Sequence, residues 1–269
     1  MNGVRATRVQ GATGRAHVVG PRRADTWWAE PALVVLFLGS FIVYSTWAAL
    51  QNAHYYAAPY LSPFYSPCLS TDCAHVTLPL FGRMPQLPII GVLSPAFLIL
   101  WVPGLFRLTC YYYRKAYYRS FWGAPPACAV ADVRAGYSGE TRLPLIFQNL
   151  HRYAFYLAVL LIVILTYDAL LAFRFPNGFG VGVGTLVMWI NVAFLACYTF
   201  SCHSCRHLCG GHVNSFSKAP GRYGLWRVVT RLNERHPLFA WLSLGSVGLT
   251  DLYIRLVSMG VIRDFRVVF

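Results

Sequence analysis

Charge is what this sequence has least of. Asp, Glu, Lys and Arg make up 12% of its 269 residues, about half the share of an ordinary soluble domain. Acidic side chains are the scarcest, nine against twenty-three Lys and Arg. With 57% of the chain hydrophobic, there is too little polar surface for a soluble globular domain. The net charge of +14 does not signal nucleic acid either, because the cations sit between long apolar runs, as in cytoplasmic loops of membrane proteins. A secretory leader is also missing: residues 1–23 are polar, rich in Gly and Arg, and have no apolar core. Residues 1–30 read as a disordered, basic cytoplasmic tail. No repeat of 20–50 residues is present, which leaves one domain, 31–269, and argues against a transporter built from two related halves.

What is abundant is apolar sequence. Five segments reach the roughly 20 residues that span a bilayer: 31–50, 89–106, 150–173, 181–200 and 237–262. The second contains Ser94-Pro95 and Pro103, so a kink is expected there. The fold class is an all-α integral membrane bundle of five transmembrane helices. Lys and Arg number five before residue 31 and six each over 107–142 and 206–235, but only Arg83 and Arg174 fall in the other two loops. The positive-inside rule puts the N-terminus and the two basic loops in the cytoplasm.

That orientation sorts the cysteines. Cys68 and Cys73 lie in an outer loop, where a disulfide persists, although Cys73-x-His75 also offers half a metal site. Cys110, Cys128, Cys202, Cys205 and Cys209 lie at or near the reducing cytoplasmic face. Three cysteines and three histidines crowd residues 202–212, and thiolate and imidazole are the preferred ligands of zinc, copper and iron–sulfur centres. Cys205-x-His207 followed by Cys209-x-x-His212 is a compressed form of the two-Cys, two-His pattern of a Rieske-type [2Fe–2S] cluster. On a continuous helix, Cys202, Cys205, Cys209 and His212 share one face, and the histidines would then come from neighbouring helices. His151 and His236, each opening an apolar run on the same side, are the alternates; buried free thiols without metal are the plain alternative.

His151, Arg152 and Tyr153 stand where an electron would enter the membrane, and a titratable histidine or a phenol suits a quinone carbonyl. Asp168 and Asp251 lie deep in the third and fifth spans. Intramembrane charges carry function by default. Asp251 and Arg255, at i and i+4, can pair on one helix face, either as a structural ion pair or as part of a polar quinone site.

Four stretches carry a resemblance: Cys110-Tyr111-Tyr112-Tyr113-Arg114, Phe121-Trp122-Gly123-Ala124-Pro125-Pro126-Ala127-Cys128, residues 147–153 and residues 201–207. Together they resemble the single-chain, five-helix membrane anchor of actinobacterial succinate dehydrogenases, from the second span to the fifth. The resemblance implies a plasma-membrane subunit that docks an iron–sulfur subunit and a flavoprotein subunit at the cytoplasmic face. It also implies binding of menaquinone and relay of electrons to it, without oxidation of succinate by this chain itself. Anchors of the wider family that carry two haems need four histidines within the bilayer. No histidine lies mid-span here, which disfavours haem and leaves the Cys/His run, as a Rieske-type cluster, to bridge the gap. Lipid surrounds such a chain, and a higher oligomer is compatible with it. A stand-alone membrane metal-handling or thiol-redox protein is the competing reading.

Overall fold

The computed structural model describes residues 25–73, 80–88, 91–130, 141, 143, 145–211 and 213–269. The expected tail up to residue 24, His75 and His212 lie outside them. Four helices are long and apolar enough to cross a membrane: Ala29–Gln51 (α1), Ile146–Leu171, Val183–Phe200 (α5) and His236–Ser258 (α8). The second of these is a short 3₁₀ lead-in followed by α4, His151–Leu171. Each turns apolar side chains outward, including Leu33 and Val43 on α1, Val163 on α4 and Leu249 on α8, as a lipid-facing surface requires.

The expected span at 89–106 is the exception. Its helix, α2, runs from Phe97 to Leu108, a rise of about 18 Å against the roughly 30 Å of a hydrocarbon core. Pro95 cannot donate to a helical ladder, and the Ser94 hydroxyl accepts the Ala96 N–H at 3.3 Å in a local turn. The chain before it pairs instead as a hairpin, with Gln86–Leu87 (β1) antiparallel to Gly91–Val92 (β2). After α2 the chain bends at Cys110 and continues as Tyr111–Tyr117 (α3) and a π turn, Tyr118–Trp122.

Short strands join the helices at the end of the bundle that carries the Cys68–Cys73 disulfide, hereafter the disulfide end, so the fold is mostly rather than wholly helical. Gly178–Gly182 runs between Arg174–Phe175 and the terminal strand Arg266–Val268, antiparallel to both. There, Asp264 accepts hydrogen bonds from Tyr60 and Tyr253 hydroxyls, both at 2.6 Å, and from the Gly184 N–H at 3.0 Å, a carboxylate at the positive start of α5. Gly184 is required by close approach: a Cβ there would stand 2.5 Å from the Tyr60 ring.

The opposite, thiol end holds two further helices of more polar composition. His203–Gly210 (α6) follows α5, and Pro220–Glu234 (α7) packs on it, with Arg206 over the Trp226 ring at 4.9 Å. The sequence reading did not anticipate α7. It is amphipathic, burying Val229 while Leu225 and Val228 stay exposed.

One polar network sits inside the bundle. Arg255 donates to Asp251 at 2.7 Å, to Gln51 and the Ala53 carbonyl at 2.8 Å, and to the Ala48 carbonyl at 2.8 Å. Tyr44 and Ser62 hydroxyls donate to the same carboxylate. The expected i,i+4 pair is thus a buried hub joining α8, α1 and the disulfide-end loop.

Candidate functional site

Two dipeptides of the same kind build the thiol-end site. Thr109-Cys110 ends α2, and Ser201-Cys202 ends α5. In each, the hydroxyl residue keeps helical backbone angles while the cysteine is extended, φ −68° and ψ 128° for Cys110, φ −64° and ψ 146° for Cys202. Each cysteine therefore occupies the break between a long helix and a short one, with its side chain free of the helical ladder. The first residues of α4 and α8, His151 and His236, face these breaks.

The contacts run crosswise. His151 Nε2 lies 2.9 Å from Cys202 Sγ, and its Nδ1 lies 2.9 Å from Thr109 Oγ1. His236 Nε2 lies 3.4 Å from Cys110 Sγ, and its Nδ1 lies 2.7 Å from Ser201 Oγ. Each hydroxyl has one proton, and each gives it to its own helix: Thr109 to the Leu105 carbonyl at 2.7 Å, Ser201 to the Tyr198 carbonyl at 3.0 Å. Toward the histidines both hydroxyls must then accept, so Nδ1 carries the hydrogen and the Nε2 lone pair points at a thiol. Outer hydrogen bonds of this kind hold ligating histidines in one tautomer.

All four side chains are buried. Phe106 stacks on the His151 ring at 4.9 Å and 1°, and Tyr198 on the His236 ring at 5.0 Å and 19°. Burial pushes the Cys110 thiol up from its ordinary range and the Cys202 thiol up to about 11. Both thiols are neutral at pH 7 without a cation, so metal loading releases protons and is favoured as pH rises.

In number and kind the four side chains match the donors of a mixed-ligand two-iron centre. Among the described residues, no three His, Cys, Asp or Glu side chains surround one point as a mononuclear metal needs. Two cysteines and two histidines, two for each iron, are the Rieske donor set. The buried Tyr198 hydroxyl lies beside the Cys110 sulfur.

Of the site residues named from sequence, Cys202, His151 and His236 come together, whereas Cys205, His207 and Cys209 do not join them. Cys205 interacts with Cys209 one turn on within α6. His207 Nδ1 instead lies 3.1 Å from exposed Arg152. Tyr153 faces outward at 67% exposure. Asp251 and Arg255 lie about 22 and 28 Å along α8 from His236. Sequence reasoning missed Cys110 as a partner, along with Thr109, Ser201 and Tyr198. The signal was present: a hydroxyl residue followed by cysteine, twice, where an apolar run ends, and a histidine, twice, where one begins.

A cavity of about 470 Å³ adjoins the site. Phe106, Arg107 and Tyr198 form its thiol end, and Pro63, Phe64 and Ser66 close its disulfide end. Arg107 lies over the Tyr198 ring at 4.6 Å and donates to Ser243 at 3.0 Å. The cavity exists because α1 packs on α8 and the π turn, while α2 packs on α4. Between α1 and α2 it is bordered by exposed Ile42, Trp101 and Gly104, on the side of the bundle.

Comparisons with known proteins agree with this membrane architecture. A profile described as actinobacterial succinate dehydrogenase subunit SdhC matches residues 29–260. No curated protein matches the chain. A chain of the Mycobacterium smegmatis Sdh1 complex in the apo form is similar to it at 49% identity, with a TM-score of 0.84 and 100% of both chains covered. A match over most of the chain and a full-length likeness at this identity identify a membrane subunit of an enzyme complex, and the chain belongs to the actinobacterial succinate dehydrogenase subunit SdhC family.

Proposed function

We propose that this chain anchors a succinate:menaquinone oxidoreductase in the plasma membrane, docks its iron–sulfur and flavoprotein subunits at the thiol end, and binds the quinone that receives their electrons. The crosswise Cys110–His236 and Cys202–His151 contacts carry this reading. Cys110, Cys202, His151 and His236 would hold a Rieske-type [2Fe–2S] centre. When bound, such a centre supplies one-electron chemistry at roughly −150 to +300 mV, above the about −400 mV of plant-type all-cysteine clusters. The chain's own part is positional. Thr109 and Ser201 fix the imidazole tautomers, Tyr198 offers a hydrogen bond at Cys110, and Phe106 with Tyr198 excludes water from both rings.

The quinone belongs in the cavity rather than at Arg152 and Tyr153, whose side chains face outward. Its apolar walls suit a prenylated naphthoquinone, its lateral opening admits one from the bilayer, and its thiol end lies against the redox site. Gly104 tests this placement. A Cβ there meets nothing within 4 Å, so Gly104→Phe starts its ring from open space at the opening, and loss of glycine from a helix interior costs no helix propensity. The KM for a menaquinone analogue is expected to rise about tenfold, the equivalent of about 1.4 kcal/mol, in steady-state assays of the purified complex. An unchanged KM would move the quinone elsewhere.

Completing the fifth crossing falls to α2 together with the segments that flank it, and the basic thiol end then faces the cytoplasm with the N-terminus. A reporter fused after Arg119 or Lys218 is expected to read cytoplasmic, and one after Asp72 external. A cytoplasmic signal after Asp72 would reverse the docking face. The stand-alone metal-handling reading has no observation of its own once family membership is shown.

A further inference from the structure

Among the described residues two buried carboxyl groups lie in the disulfide-end half of the bundle, and only one has a cation. Asp251 is matched by Arg255. Asp168, on α4, is 3% exposed and receives one hydrogen bond, from the Ser66 hydroxyl; among the described residues no Lys, Arg or His pairs with it. The same loop serves both acids, since Ser62 donates to Asp251 and Ser66, four residues on, to Asp168. Asp251, Arg255 and Tyr44, on the helices that Ser62 reaches, are engaged with one another.

Asp168 differs from Asp251 in what lies next to it. Ser66 lines the cavity, and so does Leu165, one turn before Asp168 on α4. In the other direction α4 ends at Leu171, about 5 Å further along the axis. The carboxyl group therefore stands between the cavity and the disulfide face of the membrane, joined to the cavity wall by one hydroxyl. Ser45, Thr46 and Thr199 line the cavity beyond it and give water polar stations toward Arg107. An uncompensated carboxyl group at such depth is expensive and marks proton or ion paths far more often than it serves packing.

We propose that Asp168 and Ser66 relay protons between the disulfide face and the cavity, so that the protons taken up by the bound quinone enter from the face opposite the thiol site. The inference rests on the reading that the cavity holds the quinone. The balance is that one quinone takes two electrons, released by succinate and passed on by the partner subunits, and two protons, giving one quinol. For each proton, Ser66 passes its hydroxyl hydrogen into the cavity, takes the hydrogen of the Asp168 carboxyl, and the carboxylate is reprotonated from the disulfide face. Electrons and protons then meet from opposite sides, and two charges cross the membrane dielectric per quinone.

The test uses the purified complex in proteoliposomes with a menaquinone analogue in the bilayer, a pH dye in the lumen, and valinomycin with potassium to clamp the potential. Succinate added outside drives the complexes whose partner subunits face outward. The expected result is alkalinisation of the lumen by two protons per succinate, with the rate at least tenfold lower in Asp168→Asn and Ser66→Ala and restored by Asp168→Glu. Ser66→Ala keeps the measurement decisive if Asp168→Asn fails to assemble, as judged by co-purification of the partner subunits. Quinone reduction with no lumen pH change in the wild type, or undiminished lumen uptake in Ser66→Ala, overturns the relay and leaves the quinone reading standing. No quinone reduction by the wild-type complex would instead overturn the quinone reading itself.

Discussion

Cys110→Ser and His236→Ala are each expected to lose more than nine-tenths of the mixed-ligand [2Fe–2S] signal of the purified complex, and with it about two irons and two acid-labile sulfides per anchor, while Cys205→Ser and Cys209→Ser keep both. Chemical analysis and low-temperature electron paramagnetic resonance of the reduced complex read the difference. The argument is the crosswise geometry: Cys110 and Cys202 each face a histidine whose other ring nitrogen is fixed by a hydroxyl, whereas Cys205 and Cys209 face each other within α6. Thr109→Ala and Ser201→Ala should weaken rather than abolish the centre, since losing an outer hydrogen bond to a ligating histidine typically costs about 10–100-fold in metal affinity. If Cys205→Ser empties the site and Cys110→Ser does not, the ligands come from the 202–212 run instead. Stoichiometric zinc or haem in the wild type, with no mixed-ligand signal beside those of the iron–sulfur subunit, would sink the cluster altogether.

Arg255→Leu is expected to be the most destabilising single change in the bundle. It removes every partner of three side-chain nitrogens, leaving the Asp251 carboxylate and the Ala48 and Ala53 carbonyls short of their donor. Breaking one side of a buried ion pair costs about 3–5 kcal/mol. Asp251→Asn is milder, because the amide oxygen still accepts from Tyr44 or Ser62 and Arg255 keeps Gln51 and both carbonyls. The double change Asp251→Asn with Arg255→Leu should recover part of the loss, having no stranded charge. Thermal unfolding of the detergent-purified complex ranks the three variants. Equal melting temperatures for wild type and Arg255→Leu would mean the hub contributes nothing to stability.

The long helices were readable because an apolar run of about 20 residues has few other uses, and α1, α4, α5 and α8 begin and end within a few residues of the expected limits. The segment at 89–106 was readable only in part for the same reason: hydropathy registers apolar residues in a hairpin and a turn as readily as in a helix, and Ser94-Pro95 marks the start of α2 rather than a kink inside it. Local chemistry was readable where both partners are near in sequence, as with Asp251 and Arg255 or Cys68 and Cys73. The thiol-end site was only half readable. Spacing within residues 202–212 pointed to ligands one or two positions apart, but the partner of Cys202 is 51 residues away and that of Cys110 is 126 away. Tertiary folding, not spacing, selects among the eight cysteines.

That long-range closure bears on how the subunit is made. The four side chains at the thiol end come from four segments, and His236 opens the last spanning helix. A nascent chain that has inserted α1 to α5 already holds Cys110, His151 and Cys202 but lacks the fourth donor. Any centre bound there can be completed only after α8 has left the ribosome and entered the bilayer. Closing a loop of twice the length costs only about 0.6 kcal/mol more, so the 126-residue separation is no thermodynamic obstacle. Its effect is on timing: the thiol-end site of a truncated chain stays unfinished until the last helix is in place.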